Sequence, residues 1–233
     1  NKKYYVPNNA ILVVAGDIQI DDTKKMIADY FEAIPKGSDV NRVVAKEDPI
    51  TEAIEAKAYD SNIQIPAVVA AYRMPSIKTR DSKVLDMIST YLSDGNSSKL
   101  YRKMVDEKKM ALQVGAFNVS QEDYGMYLIF GLPLGETPLK NIITEIDEEV
   151  VKIQKELISE KDYQKLQNKF ETNFVDSNSS VEGIANSLAE YYAFYENTNL
   201  INSEIEIYRS ITREEIQAVA KKYLNPNQRL VLD

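Results

Sequence analysis

A chain of 233 residues that is 44% hydrophobic can bury one sizeable core, and it contains neither histidine nor cysteine. That double absence excludes a Ser-His-Asp triad, a thiolate nucleophile and any zinc site built on imidazole or thiolate. A net charge of −8 with scattered basic residues argues against nucleic acid as a partner, and no apolar run approaches the ~18–20 residues of a membrane span.

Asn1 suggests a chain cut from a longer parent, and no signal peptide is visible. Tyr4–Asn9 is a turn-rich lead-in to the apolar run Ala10-Ile11-Leu12-Val13-Val14-Ala15, which Gly16-Asp17 stops and which therefore reads as a buried strand. Asp21 and Asp22 offer caps for a helix through about Phe31, with Met26, Ile27, Tyr30 and Phe31 at helical spacing. Residues 36–52 are polar and acidic and read as a linker.

Residues 54–59 alternate like a strand, and Val68–Tyr72 is a continuous apolar strand between Pro66 and Pro75. Thr79 to about Leu92 is amphipathic, with Val84, Leu85, Ile88 and Leu92 on one face. Asp94-Gly95-Asn96-Ser97-Ser98 breaks that helix, and a short one runs from Lys99 to Glu107. Ala111–Val119 and Met126–Leu132 predict an antiparallel pair of strands. Beyond Pro133 the pattern is helical. Thr137-Pro138 opens a long helix, Ser159-Glu160-Lys161-Asp162 resembles a capping box, and Leu188, Tyr191, Tyr192 and Tyr195 mark an aromatic helix. Thr212-Arg213-Glu214-Glu215 caps a last helix ending near Tyr223, and Arg229–Leu232 return to strand. Partly segregated strands and helices predict an α+β fold, an antiparallel sheet with helices packed on one face.

An internal repeat sharpens this. Residues 5–14 (YVPNNAILVV) align without gaps on residues 223–232 (YLNPNQRLVL), sharing the tyrosine, the second asparagine, a leucine and a valine. Each copy reads as a turn and then a returning strand, as if the chain held the end of one domain and most of a duplicate.

Chemistry-bearing clusters are few. Asp94–Ser98 before a helix could cradle an anion on free amides at Asn96, Ser97 and Ser98, although a turn with an N-cap is the commoner use of such a run. The acidic cluster Glu145, Asp147, Glu148, Glu149 lacks the alternating spacing of a cation loop and reads as a solvated helix face. The basic cluster Lys99, Arg102, Lys103, Lys108, Lys109 reads the same way.

Three stretches resemble the pitrilysin/insulinase-type zinc metallopeptidases, the family that includes mitochondrial processing peptidase and its bacterial relatives. Tyr4–Asp17 is similar to the turn and strand closing that family's first domain. Ser97–Ala111 resembles the serine-rich turn and helix of its second domain. Ile211–Gln217, running into Lys221–Leu224, looks like the last helix and turn of a domain. They occur in the family's order. The resemblance implies paired α/β domains, with residues 1–35 ending a zinc-type domain and 53–233 forming a second, processing-peptidase-like one. In the family the inverted zinc motif H-x-x-E-H lies in the first domain, so zinc is expected in the parent protein and none in this stretch, with no catalytic or metal-ligating residue here. Members that face the metal carry an arginine and a tyrosine seven residues apart, after the serine-rich turn. The matching positions here hold Val105 and Leu112, which can neither bind an anion nor donate a hydrogen bond. The implied role is a non-catalytic wall of a peptide-enclosing chamber. Its implied partners are an upstream zinc-bearing domain and peptide substrates, with a homologous partner subunit as a further candidate. The alternative is a purely structural domain of an inactive subunit.

Overall fold

Apolar alternation along the middle of the chain becomes a five-stranded sheet in the computed structural model, which describes residues 3–44 and 48–233. The strands are β1 (Ile54–Ala56), β2 (Val68–Pro75), β3 (Ala111–Val119), β4 (Tyr124–Pro133) and β5 (Arg229–Leu232), in the order β1-β5-β2-β4-β3. Helices are α1 (Ile20–Phe31), α2 (Arg80–Ser93), α3 (Leu139–Lys155), α4 (Glu160–Ser177), α5 (Val181–Tyr195), α6 (Leu200–Ser210) and α7 (Arg213–Tyr223). By compactness the chain falls into two units, residues 48–170 with 206–233, and residues 3–44 with 171–205.

The larger unit holds the whole sheet. Its pairs are antiparallel except β1–β5, which is parallel, so the sheet is mixed rather than antiparallel throughout. The reason is topological: β5 runs antiparallel to β2, and its free side then meets β1 running the same way. Period-2 alternation puts Val68, Ala70, Tyr72 and Met74 of β2 and Tyr127 and Ile129 of β4 on one buried face. Val84, Leu85 and Ile88 of α2, Ile142, Ile146 and Val150 of α3, and Ile216 and Ala220 of α7 complete that core. The α+β architecture with helices on one face is thus the one the sequence predicts. Gly131 permits the close approach of α3, because a Cβ there would lie 2.4 Å from Ile142 Cγ2.

Helix starts follow their sequence signals unevenly: α3 begins at Leu139, with Pro138 at its N-cap and no side-chain cap. Thr79 Oγ1 accepts from Ser82 N to cap α2, and Thr212 and Glu215 form a reciprocal capping box at α7. Glu215 also takes Arg80 Nε at 2.6 Å, joining the two helix starts. At α4 only half of the box forms: Ser159 Oγ accepts from Asp162 N at 3.1 Å, while the Asp162 carboxylate takes the Ser159 hydroxyl. Residues 101–107 are π-helical rather than α-helical.

Two expectations about charge are overturned. The basic and acidic clusters are not simply separate solvated faces, because Lys103 and Lys108 of the first pair with Glu145, Glu148 and Glu149 of the second. Lys103 reaches Glu145, Glu148 and Glu149 at 2.9, 2.8 and 3.0 Å, and Lys108 also reaches Glu145. Burial tends to raise the Glu145 carboxyl, but hydrogen bonds from Lys108 and Lys103 outweigh it and hold the group below the ordinary glutamate range. Asp147 instead clamps Arg229, which is 6% exposed and donates to the Tyr72 hydroxyl at 2.8 Å.

In the smaller unit, a 3-10 turn at Pro7–Asn9 precedes an irregular, unpaired run from Ala10 to Ala15, extended at Ala10. The strand expected there does not form, since a strand needs a neighbour for its backbone groups and the run lies outside the sheet. Ile11 and Leu12 are 45% and 56% exposed. Asp21 and Asp22 lie in the first turn of α1 rather than capping it, and no residue of α1 is buried. Ser180 caps α5, and Tyr191 donates to Glu204 at 2.6 Å. Part of the expected linker (residues 45–47) lies outside the described residues. Residues 171–205 group with the N-terminal stretch rather than with the sheet, whereas the sequence reading carries one domain from 53 to 233.

Candidate functional site

The face of the sheet turned away from the core is the first candidate. Alternation places Val69, Ala71 and Arg73 of β2, Tyr124, Met126, Leu128 and Phe130 of β4, and Phe117 of β3 opposite the buried set. Leu230 of β5 pairs with Ala71 in register. Phe117, Tyr124 and Met126 are exposed, so this face is apolar without being covered. Gly115 sits beside Phe130 so closely that a Cβ would meet the ring at 2.2 Å, which lets the ring lie across β3, with the Phe117 ring centroid 5.5 Å away. A groove of about 310 Å³ runs over this face between Ala71, Arg73, Gln121, Tyr124, Met126 and Leu230. An antiparallel face that is apolar but uncovered is a surface for another polypeptide rather than for water.

Val105 and Leu112 lie on the two elements that meet at the start of the edge strand. Val105 is half-buried in the π-helical segment and packs against the core. Leu112 is exposed at the bulge between Ala111 and Gln113, where the register with β4 shifts. Neither aliphatic group carries a charge or a donor, so this corner can shape a surface but cannot stabilise developing charge.

The serine-rich turn is a second, separate place. Gly95 adopts a φ of 77°, and Ser98 N closes the turn on Gly95 O at 3.0 Å. Beside it is a cavity of about 230 Å³, lined by Tyr91 and Asp94, by Ser97, Ser98 and Lys99, and by Asp162, Lys165 and Lys169 of α4. The serines do not cap as the pattern suggests: Ser97 Oγ receives Lys165 Nζ at 2.6 Å, and the buried Ser98 hydroxyl has no partner. Lys99 reaches Asp162 at 2.9 Å. Burial tends to raise the Asp162 carboxyl, but hydrogen bonds from Lys99 and Ser159 outweigh it and keep it low. Asn96 is exposed on the turn and does not line the cavity. The lysines of α4 are what sequence reading missed. They lie more than sixty residues from the turn, and nothing local signals their convergence.

Metal ligation finds no support in the donor set. Imidazole and thiolate are absent from the sequence, and among the described residues no three Asp or Glu groups gather to hold an ion. A zinc of the peptidase kind does not fit these residues.

Comparison with known proteins shows what the whole chain is similar to. The zinc protease PqqE of Helicobacter pylori is 24% identical over 228 residues, which is 97% of this chain and 51% of that protein. A crystal structure of a protease from Helicobacter pylori superposes with a TM-score of 0.90 at 23% identity, covering 99% of this chain and 56% of that one. A peptidase M16 inactive domain from Pseudomonas fluorescens shares the fold with a TM-score of 0.73 at 14% identity, over 93% of this chain and 51% of the other. The chain therefore spans about half the length of these relatives. The family described as the peptidase M16 inactive domain matches residues 2–170, from the N-terminal stretch through the sheet to α4. Matched by that family's model over most of its length and without imidazole or thiolate to hold a metal, the chain belongs to the peptidase M16 inactive domain family.

Proposed function

We propose that this chain forms a non-catalytic wall of a peptide-enclosing chamber in a zinc metalloendopeptidase, with proteolysis carried out by a separate zinc-bearing domain. The observation that carries the reading is the uncovered apolar face of the sheet, with its groove between Tyr124, Met126, Arg73 and Leu230. Such a face gives side chains of an extended peptide a place to rest and excludes water from it, which a wall must do. Val105 and Leu112 stand where a chamber domain facing the metal would present a cation and a hydroxyl, and their aliphatic character suits a wall that encloses without polarising.

Residues 1–35 are proposed as the closing strand and helix of the zinc-type domain, and 53–233 as the second domain. The exposed Ile11, Leu12 and Val14, with Met26, Tyr30 and Phe31 of α1, support that division, because these are groups that a sheet and core elsewhere would cover. The name of the Helicobacter relative, a zinc protease, supports zinc in the complete enzyme.

The test is reconstitution. The chain is assayed with a fluorogenic peptide, alone and mixed with an M16 domain that carries H-x-x-E-H. Turnover is expected only in the mixture. Turnover by the chain alone would end the reading, and a zinc domain equally active without the chain would favour a purely structural role.

A further inference from the structure

The cavity beside the serine turn stands apart from the open sheet face and from the Val105–Leu112 corner. In a chain of net charge −8, its lining sets three lysines against two aspartates. Lys99 engages Asp162 at 2.9 Å and Lys169 engages Asp94 at 3.2 Å, so both carboxylates are already matched. Lys165 instead donates to the neutral Ser97 hydroxyl at 2.6 Å. An ammonium on a hydroxyl keeps its full charge and two further donor protons. Ser98 supplies an independent observation. It lines the same cavity, is 3% exposed, and its hydroxyl is buried with no hydrogen-bond partner. A buried hydroxyl left unpaired is costly, and here it also forgoes the capping role that serine usually takes before a helix. Charge and orphan donor therefore call for the same thing, a small acceptor with negative charge.

We propose that this cavity binds a tetrahedral oxyanion, either inorganic phosphate or the phosphoryl group of a small molecule, through Lys165, Lys169 and the Ser98 hydroxyl. Lysine serves phosphate as a compact point charge. The space of about 230 Å³ is below the range typical of drug-sized ligands, which limits the occupant to a small one. Because Ser98 sits on the turn after α2, while Lys165 and Lys169 belong to α4, the bound anion would tie two elements of the larger unit together and stabilise it by mass action.

Calorimetric titration of the protein with sodium phosphate, at ionic strength held with sodium chloride, tests this. One saturable site with a Kd below about 1 mM is expected, with a matching rise in Tm. Lys165→Met should weaken binding about tenfold or more with little change in the Tm without phosphate, since Lys165 is exposed, bonds the Ser97 hydroxyl and reaches Asp162 only through its charge. Ser98→Ala should weaken it less. Methyl phosphate, titrated in parallel, separates the two sources of the anion: tighter binding than phosphate identifies an esterified phosphoryl group, and weaker binding identifies the free ion. No saturable heat up to about 10 mM phosphate, or a Lys165→Met protein that binds like the parent, would overturn the proposal.

Discussion

Residues 5–14 and 223–232 share four of ten residues in an ungapped alignment and are unlike in structure. In both, the turn forms in the same way: Ala10 N bonds Pro7 O at 3.3 Å, and at the aligned positions Gln228 N bonds Asn225 O at 2.9 Å. Past the turn the two diverge. The second copy becomes β5, hydrogen-bonded to β1 on one side and β2 on the other, whereas the first runs on without regular structure and with no strand paired to it. Arg229 lies buried on Tyr72 and Asp147, while the aligned Ile11 is exposed. Turn chemistry is local and travels with the sequence. Strand formation depends on a neighbour, and only one copy has it.

This contrast is open to mutation. Arg229→Ala should have the largest effect, about 3 kcal/mol or more of lost stability in urea unfolding, because it leaves Asp147 facing a buried gap. A loss near zero would mean that β5 is held by its backbone alone. Gly131→Ala, on the covered face of β4, drives a Cβ against Ile142 and should cost about 1–3 kcal/mol.

Acid should act on the larger unit next. Glu215 is held below its ordinary value, first by its hydrogen bond from Arg80 and then by the Thr212 backbone, which outweigh burial, and Glu145 is held low by Lys108 and Lys103. Carboxyls depressed in the fold bind fewer protons there than in the unfolded chain. Their contribution is therefore complete above the unfolded glutamate value of about 4.3, and it is lost as pH falls through the folded values. The urea midpoint should drop between about pH 5 and pH 3, and Glu215→Gln should make that drop shallower. A midpoint flat over this range would contradict the paired-carboxylate account. Ile11→Ala should do least, within about 0.5 kcal/mol, as befits an exposed side chain in an unpaired run.

Much of the larger unit was legible in the sequence, because its signals are local. Periodicity gave α2 with Val84, Leu85, Ile88 and Leu92 on its buried face, and Thr212 announced its cap. Pairing that spans the chain was not legible: the parallel β1–β5 edge joins Ile54 to Leu230, and no turn between them specifies it. The strand reading of Ala10–Ala15 failed for the same reason, since an apolar run says nothing of whether a partner is present. The two charge clusters were visible, but not that Lys103 would meet Glu145 and Glu149 across helices. Lys165 and Ser97 meet only once α4 folds back over the turn.

Zinc stoichiometry of the purified chain, measured by mass spectrometry after dialysis against metal-free buffer, most directly tests the view of it as a non-catalytic M16 domain. The account predicts far less than one zinc per chain, since no imidazole or thiolate is available to hold it. One tightly bound zinc per chain, accompanied by cleavage of a peptide, would contradict it.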